Sequence, residues 1–227
     1  EAHMAEPGRR ERLISAAIAL FDEKGYDAVT VEAIAQRAEV GRTTLFRLFG
    51  SKEGLVFPDH DALLANAERR LSSATRDTVL AAVVDAASLV FSNYLEEGEL
   101  ARARWRLISS VPALRDREIA AVGRYVRLFR RHLVTHLAEE PNAALRAELL
   151  ATAVVTAHNN VLRRWLRGQT TQPTDDLSAA MRTTLALFGR STGTRTAVVV
   201  FETYEPLDVV LPRVERALAD SAAEDLA

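Results

Sequence analysis

The chain of 227 residues contains no cysteine, so disulfide bonds, thiolate metal sites and cysteine nucleophiles are all excluded. Apolar residues make up 48% of the chain, which is enough for a packed core, yet no uninterrupted apolar run approaches the ~18 residues of a membrane span. No secretory signal precedes the first predicted helix. The composition therefore predicts a cytoplasmic globular protein with no membrane partner.

The chain also lacks an excess of charge of either sign. It carries 29 Lys and Arg residues against 31 Asp and Glu residues, which gives a formal net charge of −2. This balance excludes a protein that coats nucleic acid through its overall positive charge. Any contact with DNA has to come from the placement of a few basic side chains.

Patterns that would indicate catalysis are scarce. The letters Gly-x-Ser-x-Gly occur at 189–193, but the nucleophile elbow needs a strand before it and a helix after it, and here the predicted order is reversed. His132 and His136 have the i, i+4 spacing of two metal ligands, but no glutamate follows His132, and surface or pocket histidines fit better. We predict no catalytic residue, no metal, no cofactor and no enzyme activity.

Residues 30–55 carry the strongest pattern in the chain. Thr30 is a good N-cap for a first helix, and the break at 39–41 ends in Gly41. A second, short helix follows from Arg42, and Ser51 can cap a third. In the short helix the inward-facing residues are predicted to be Leu45, Leu48 and Phe49, and the outward-facing ones Arg42, Thr43, Thr44, Phe46 and Arg47. Helix, turn and helix in this order are typical of proteins that place a helix in the major groove of DNA.

This segment resembles the N-terminal domain of TetR-family transcriptional regulators. The motif positions present are Thr30, Ile34-Ala35, Glu39-Val40, Thr44-Leu45-Phe46, Phe49, Ser51-Lys52-Glu53 and Leu55. The preceding residues resemble the first helix of that family at Ala16-Ala17, Leu20-Phe21 and Gly25-Tyr26. The resemblance covers about the first 55 residues and implies a regulator that binds double-stranded DNA at a pseudo-palindromic operator. It also implies a homodimer, and repression that ends when a small-molecule effector binds.

The resemblance assigns the DNA contacts residue by residue. Base contacts fall to Arg42, Thr43, Thr44 and Arg47, and Gly41 and Phe46 complete the surface. The sequence departs from the family's motif in two ways. Gly41 replaces a capping serine, which weakens the helix cap by ~0.5 kcal/mol. Phe46 and Leu48 stand where tyrosines are frequent in the family. Without those hydroxyl groups, contacts to the DNA backbone are expected to shift towards Lys52, Arg47 and Thr30.

Beyond residue 55 the pattern is almost wholly helical. Pro58 is expected to break or bend the chain at 57–59, and helices are predicted at 59–73, 76–96, 99–110, 114–138, 142–167 and 174–188. The predicted fold is all-α: an N-terminal three-helix helix-turn-helix domain, then a larger helical ligand-binding and dimerisation domain, with a short extended segment at 196–202. The predicted boundaries are 1–8 for a tag remnant and flexible arm, 9–56 for the DNA-binding domain and 57–227 for the effector-binding and dimerisation domain.

Two helices near the end have apolar faces too wide for a single partner. The segments 143–166 and 177–188 are the pair that, by the family resemblance, forms a four-helix dimer interface. A buried helix in a monomer is the alternative.

The effector pocket is predicted from aromatic residues in the central helices, although aromatics at these spacings also fit an ordinary core. The candidates are Phe91, Tyr94, Trp105, Tyr125 and Phe129, together with the polar residues His158 and Asn159 in the middle of an apolar helix. The arginines at 102, 104 and 106 are expected to form a solvated, salt-bridged surface, with an anion site as the alternative.

A function of another class stays open at this point. Gly41 and the missing tyrosines also fit a small-molecule-binding or catalytic helical module whose DNA-binding head is not functional.

Overall fold

The computed structural model describes residues 5–138 and 141–188. Within these ranges every regular element is helical, which confirms the all-α prediction there. One turn of 3-10 helix occupies Glu53–Leu55. The nine α-helices of the described ranges are α1 (Ala5–Lys24), α2 (Val31–Arg37), α3 (Arg42–Phe49), α4 (His60–Ser72), α5 (Val79–Glu97), α6 (Glu99–Ser110), α7 (Pro112–His136), α8 (Ala143–Leu166) and α9 (Pro173–Phe188).

Helix α1 begins at Ala5, four residues before the predicted start of the DNA-binding domain. The prediction of a flexible arm up to residue 8 is therefore wrong for residues 5–8. Pro7 and Gly8 look like helix breakers in the sequence. A proline in the first turn of a helix, however, has no intrahelical N–H bond to lose, and its fixed φ suits the helix.

The first three helices and the 3-10 turn form a small head with its own apolar core. Leu13, Ala17, Ile34, Leu45 and Leu55 are fully or almost fully buried in it. The same cluster takes in Ala103 and Leu107 of α6 and Leu114 of α7, so that helices of the body complete the core of the head. The boundary at 56/57 between a DNA-binding and an effector-binding domain stays a prediction.

The chain is broken between the 3-10 turn and α4, as the sequence predicts. Pro58 follows the turn, its carbonyl accepts a hydrogen bond from the His60 N–H at 2.8 Å, and the Asp59 carboxylate caps α4 by accepting from the Ala62 N–H at 3.1 Å. A proline at this position cannot donate within a helix, so a short non-helical link joins the head to α4.

Helices α4 to α9 pack around a second apolar core. Val83, Ala86, Val90 and Phe91 of α5 lie in this core, and α5 contacts α4, α6, α7, α8 and α9. Among the described helices, α5 alone is long and apolar enough to cross a membrane by length and composition. Its contacts with five other helices are those of the central helix of a bundle.

The predicted helix bounds in the body are correct to within three residues, and the differences have local causes. Helix α7 begins at Pro112 and not at 114, because proline is favoured at the first helical position. Helix α5 begins at Val79 and not at 76, because Thr75 and Thr78 form a turn in which the Thr75 N–H donates to the Thr78 hydroxyl at 2.9 Å. The extended segment predicted at 196–202 and the Gly-x-Ser-x-Gly letters at 189–193 lie outside the described residues.

Candidate functional site

The short helix α3 has one buried side and one exposed side, as predicted. Leu45 is fully buried in the head core, and Leu48 and Phe49 pack against that core. The exposed residues are Arg42, Thr43, Phe46 and Arg47, while Thr44 is half-buried at the edge. Because these four residues are spaced i, i+1, i+4 and i+5, they form a single continuous face. The structure therefore brings together most of the predicted base-contacting residues.

Two glycines bound α3 and differ in conformation. Gly41 is the N-cap with φ −63° and ψ 141°, and it has no side chain to cap the helix, as the sequence indicates. Gly50 follows the helix with φ +70°, in the region that side chains with a Cβ avoid. A third glycine, Gly54, lies so close to α3 that a Cβ added to it would overlap the Phe49 carbonyl oxygen. The 3-10 turn can pack against α3 only with glycine at this position.

Arg42 is held on the exposed face by two neighbours. Its Nη1 lies 2.8 Å from Oε1 of Glu32 in α2, and its guanidinium carbon lies 5.4 Å from the centre of the Phe46 ring. Both partners of the ion pair are more than half exposed, so the pair contributes little to stability. It orients Arg42 while leaving most of its N–H groups available for an acceptor.

Lys52 and Thr30, the predicted phosphate contacts, both have a structural role. The Lys52 ammonium donates to the Tyr26 carbonyl at 3.0 Å and the Val29 carbonyl at 3.1 Å, and it lies 4.2 Å from the centre of the Tyr26 ring. One of its three N–H groups is left for DNA. Thr30 caps α2, because its hydroxyl oxygen accepts from the Ala33 N–H at 3.2 Å, and its own O–H is left to donate to a phosphate.

Tyr26 ties the turn after α1 to the 3-10 turn. Its hydroxyl donates to Oε1 of Glu53 at 3.1 Å. Burial raises the pKa of Tyr26 well above its ordinary value, and the hydrogen bond to Glu53 adds to this. The pKa of Glu53 is lowered, first by its own backbone N–H and then by the Ser51 hydroxyl, both of which favour the carboxylate. The motif residues 51–53 therefore fix the geometry of the head.

The body contains a small chamber of ≈ 30 Å³ between α5, α7 and α8, bordered at one end by the first residue of α4. It is lined by His60, Ala87, Val90, Tyr94, Glu118, Val122, Tyr125, Phe129, Val155, His158 and Asn159. This volume has room for about one or two water molecules. An adjoining cleft of ≈ 480 Å³ shares Tyr94, Glu118, Val122 and Asn159 with the chamber. The cleft therefore borders the chamber, and the cleft alone is of a size typical of small-molecule sites.

His158 supplies the chamber with an unpaired polar atom. Its Nδ1 lies 3.0 Å from Oδ1 of Asn159, its ring packs edge-on against Phe91, and its Nε2 is buried with no hydrogen-bond partner. Burial lowers the pKa of His158, which favours the neutral ring. In the tautomer in which Nδ1 donates to Oδ1 of Asn159, Nε2 is a hydrogen-bond acceptor.

A second polar group closes the chamber beside the break at Pro58. Nδ1 of His60 lies 3.1 Å from the Tyr125 hydroxyl, and Nε2 of His60 lies 3.4 Å from Oε2 of Glu118. Burial raises the pKa of Tyr125 well above its ordinary value. His60 is the first residue of α4. The wall of the chamber is therefore connected directly to the link that leads to the head.

The adjoining cleft contains the aromatic and basic residues of α6 and their neighbours. Trp105 lines it, together with Arg104, Arg115, Arg163 and Arg167, and the guanidinium of Arg167 lies 5.5 Å from the centre of the Trp105 side-chain ring. Arg104 is buried and its Nη1 lies 2.5 Å from Oε2 of Glu97. The prediction of a solvated arginine surface is therefore wrong for Arg104, because the turn at Gly98 folds α6 back so that this face packs inward.

The predicted effector residues fall in three places. Tyr94, Tyr125, Phe129, His158 and Asn159 line the chamber, and Trp105 lines the cleft. Phe91 lines neither, because it is buried in the core, where its ring contacts His158. Its assignment to the effector pocket stays a prediction.

Two polar residues of the chamber, His60 and Glu118, were not predicted from the sequence. Val122, Tyr125 and Phe129 follow Glu118 at i+4, i+7 and i+11 on α7. This helical spacing puts all four on one face, so it could have identified Glu118 as a chamber residue.

His132 and His136 do not form a metal site in the structure. Both ring nitrogens of His136 face backbone carbonyls, since Nδ1 lies 2.8 Å from the His132 oxygen and Nε2 lies 3.0 Å from the Ala74 oxygen. Within residues 5–138 and 141–188, no group of three His, Asp or Glu side chains could hold a metal ion.

Helices α8 and α9 pack on each other and expose a shared outer surface. Leu145 and Leu149 of α8 and Leu187 of α9 are among the exposed large apolar residues of the described chain. Small exposed residues continue this surface: Thr152 and Thr156 on α8, and Ser178, Ala179, Thr183 and Ala186 on α9. Small side chains allow two helix pairs to approach closely.

Two family models match the chain over its two parts. Residues 13–57 match the family described as bacterial regulatory proteins, tetR family. Residues 73–189, which are more than half of the chain, match the family described as the MftR C-terminal domain.

Relatives named as transcriptional regulators or repressors support the same family. A protein of Mycobacterium tuberculosis named as a mycofactocin biosynthesis transcriptional regulator, MftR, is 25% identical over 184 residues, which are 78% of this chain and 92% of that protein. The HTH-type regulator YdeS of Bacillus subtilis is 38% identical over 66 residues, 29% of this chain and 32% of YdeS. The HTH-type repressor KstR of Rhodococcus jostii is 44% identical over 52 residues, 23% of this chain and 24% of KstR. The last two alignments therefore span a third or less of these relatives.

Solved structures share the fold of the described helices. The complex of SmeT with triclosan matches with a TM-score of 0.59 and 20% identity, over 87% of this chain and 99% of that chain. A TetR-family regulator of Syntrophomonas wolfei matches with a TM-score of 0.57 and 15% identity, over 82% and 98% of the two chains. The helix-turn-helix geometry and the two family models together show that the chain belongs to the TetR family of DNA-binding transcriptional regulators.

Proposed function

We propose that this protein is a cytoplasmic repressor that binds a pseudo-palindromic operator as a homodimer and leaves it when a small molecule occupies the chamber. The observation that carries the proposal is the exposed face of α3, where Arg42, Thr43, Phe46 and Arg47 lie on one side of a helix whose other side forms the head core. A short exposed helix with this composition fits the major groove better than it fits any packing role.

The contacts to DNA divide into two kinds. Arg42 and Arg47 are the candidates for guanine, where a bidentate contact contributes about 1–3 kcal/mol of base discrimination. Thr43 and Thr44 can contact either bases or backbone. The free O–H of Thr30 and the third N–H of Lys52 are the candidates for phosphates, which position the head without regard to sequence.

Dimerisation through α8 and α9 supports operator binding. The exposed leucines Leu145, Leu149 and Leu187 lie along the outer surface of this helix pair, and a second copy would cover them. A two-fold axis at this surface places two α3 helices on one DNA molecule, and half-sites about one helical turn apart then follow from symmetry.

Release from the operator is assigned to the link at Pro58. His60 forms part of the chamber wall and begins α4, which is joined to the head through residues 56–59. The chamber of ≈ 30 Å³ is too small for an organic effector, so binding has to move its walls. We propose that the effector binds better when α4 has shifted, because only such a difference in affinity changes the spacing of the two heads.

The chemistry of the chamber favours an effector that is largely apolar and donates hydrogen bonds. Nε2 of His158 is an unpaired acceptor, and Oε2 of Glu118 is buried and accepts no hydrogen bond, although Nε2 of His60 lies 3.4 Å away. A hydroxyl or amine on an apolar body would satisfy one or both of them, whereas a carboxylate would face Glu118.

An alkylphenol should therefore raise the melting temperature of the protein more than its methyl ether does, and His158→Leu should remove the difference. Equal shifts for the two compounds would contradict this assignment.

Selection from a random double-stranded DNA pool tests the proposed function. The full chain is used at near-physiological salt, so that non-specific binding does not dominate. We expect an enriched pseudo-palindrome, and we expect Arg42→Ala to lose enrichment of a guanine position.

Arg131→Ala is the matched control for this selection. Arg131 lies on α7 of the body and is exposed to the same degree as Arg42, with 64% against 62% of the side chain accessible. Like Arg42, it forms an ion pair with a glutamate. It should enrich the same motif as the wild-type chain. If the wild-type chain enriches no motif, the proposal is contradicted. That result would favour a small-molecule-binding module with a head that does not recognise DNA.

A further inference from the structure

We infer that Phe46 recognises the 5-methyl group of a thymine in each operator half-site, next to the base that Arg42 contacts. This inference rests on the proposed function and specifies the DNA feature that α3 selects.

Phe46 lies at the centre of the exposed face of α3. Arg42 precedes it by one turn, Thr43 lies beside it, and Arg47 follows it. Its side chain is 39% exposed, and among the large apolar residues exposed in the described part of the chain it is the one in the helix-turn-helix. The preceding residue, Leu45, is fully buried, whereas Phe46 belongs neither to the head core nor to the apolar residues packed against it.

The chemistry of the ring restricts what it can contact in DNA. Phenylalanine has no donor or acceptor, so it cannot bind a phosphate or the polar edge of a base. The major groove presents one apolar group at base edges, the thymine methyl group, and phenylalanine is among the side chains that contact it. An exposed phenylalanine on a helix that enters the groove is therefore complementary to thymine.

Arg42 fixes the position of this contact. Its guanidinium carbon lies 5.4 Å from the ring centre of Phe46, and its Nη1 is anchored 2.8 Å from Glu32. Successive base pairs are about 3.4 Å apart along the helix axis. The base that Arg42 contacts and the thymine that Phe46 contacts should therefore be separated by no more than about two base pairs.

Replacement of thymine by deoxyuridine in the selected operator tests the inference, because it removes the methyl group and leaves base pairing unchanged. We expect one position per half-site at which deoxyuridine weakens binding about fourfold, or about fifteenfold when both half-sites are changed, since a buried methyl group contributes ~0.8 kcal/mol. Phe46→Ala should bind the thymine and deoxyuridine operators equally, while both bind less tightly than they bind the wild-type protein.

Leu89→Ala is the matched control, because Leu89 is an apolar residue exposed to a similar degree, 36% against 39% for Phe46, and lies on α5 outside the helix-turn-helix. This variant should keep the full thymine preference. Thr43→Ser tests the other methyl group on this face of α3, and loss of the preference in Thr43→Ser but not in Phe46→Ala would overturn the inference. Equal binding of both operators by the wild-type chain would overturn it without affecting the proposed function. Failure to enrich any operator would overturn the proposed function and the inference with it. The comparison of operators on the wild-type chain decides the matter even if Phe46→Ala does not fold.

Discussion

At the scale of single residues, the two glycines that bound α3 affect its stability in opposite ways. Gly41 is an N-cap with φ −63°, and a Cβ added to it would meet no atom within 4 Å. Gly41→Ser should raise the free energy of unfolding of the head by about 0.5–1 kcal/mol, because it adds a capping oxygen and reduces the freedom of the unfolded chain. Urea unfolding followed by circular dichroism measures this change.

Gly50→Ser is the matched substitution at the other end of the same helix. Gly50 has φ +70°, so a side chain there should lower stability by about 1–2 kcal/mol although no atom blocks it. If Gly41→Ser and Gly50→Ser changed the free energy of unfolding equally, the residues that cap α3 would not limit its stability.

Lys52 should contribute more to the stability of the head than to DNA affinity. Lys52→Met removes hydrogen bonds to two carbonyls and the contact with the Tyr26 ring, so we expect a loss of about 1–3 kcal/mol in the free energy of unfolding.

Lys24→Met provides the control, because Lys24 is the only other lysine in the chain and is exposed. It should change stability by less than about 0.5 kcal/mol. If Lys52→Met unfolds like the wild-type chain but binds DNA with a weaker salt dependence, Lys52 is a phosphate contact and not a structural clamp.

His158 makes the stability of the body depend on pH. Burial lowers its pKa below 6.5, the value it has when exposed, so the unfolded chain takes up a proton that the folded chain does not. The free energy of unfolding should therefore fall as the pH decreases below about 6.5, by up to about 1.4 kcal/mol per pH unit. Thermal unfolding of the wild-type chain between pH 7.5 and pH 5 measures this slope.

His158→Leu should flatten the slope but not abolish it, because burial lowers the pKa of His132 in the same direction. His132→Leu provides the comparison. If it reduces the dependence of stability on pH more than His158→Leu does, the effect belongs to His132 and not to His158.

The sequence predicts single residues well where their role depends on neighbours in the chain. Thr30 as an N-cap and Leu45 as an inward residue follow from local spacing, and both predictions are confirmed. The burial of Arg104 and the position of His60 in the chamber wall depend on how distant helices pack. No local pattern contains that information.

At the scale of elements, the corner between α5 and α6 depends on a buried ion pair. Arg104 is almost fully buried and pairs with Glu97, which precedes Gly98 at the turn. Glu97→Gln should lower the free energy of unfolding by about 2–3 kcal/mol, because it leaves the guanidinium charge buried without a counter-charge. Adding Arg104→Met to this variant should restore most of the stability.

The neighbouring pair of Arg102 and Glu99 is the control for this corner, because Glu99 is 77% exposed. Glu99→Gln should change stability by less than about 1 kcal/mol. Similar losses in both glutamine variants would indicate that burial of Arg104 is not the cause.

Helices were easier to predict than the contacts between them. All six body helices were predicted to within three residues, because proline, glycine and threonine mark their ends in the sequence. The sharing of the head core with α6 and α7 was not predicted, since Ala103, Leu107 and Leu114 have no pattern that distinguishes one apolar partner from another. This shared core means that a movement of α6 in the body can reach the head.

At the scale of the whole molecule, we expect the outer surface of α8 and α9 to hold two copies together. Leu149→Glu should produce a monomer at concentrations at which the wild-type chain is a dimer, because it places a charge in an apolar interface. Sedimentation velocity measures the change, and operator affinity should fall with it.

Leu89→Glu is the control for this surface, since Leu89 is an exposed leucine on α5 and not on α8 or α9. It should leave the dimer intact. A Leu149→Glu variant that remains a dimer would show that the copies associate elsewhere.

Hydroxyl-radical footprinting of the wild-type chain on its selected operator tests the central claim most directly. Two protected patches on the same face of the duplex, about one helical turn apart and related by the pseudo-dyad, are predicted for two α3 helices placed by a dimer. Arg131→Ala should give the same two patches, and Leu149→Glu should weaken both together. A single protected patch, or uniform protection along the duplex, would contradict the account.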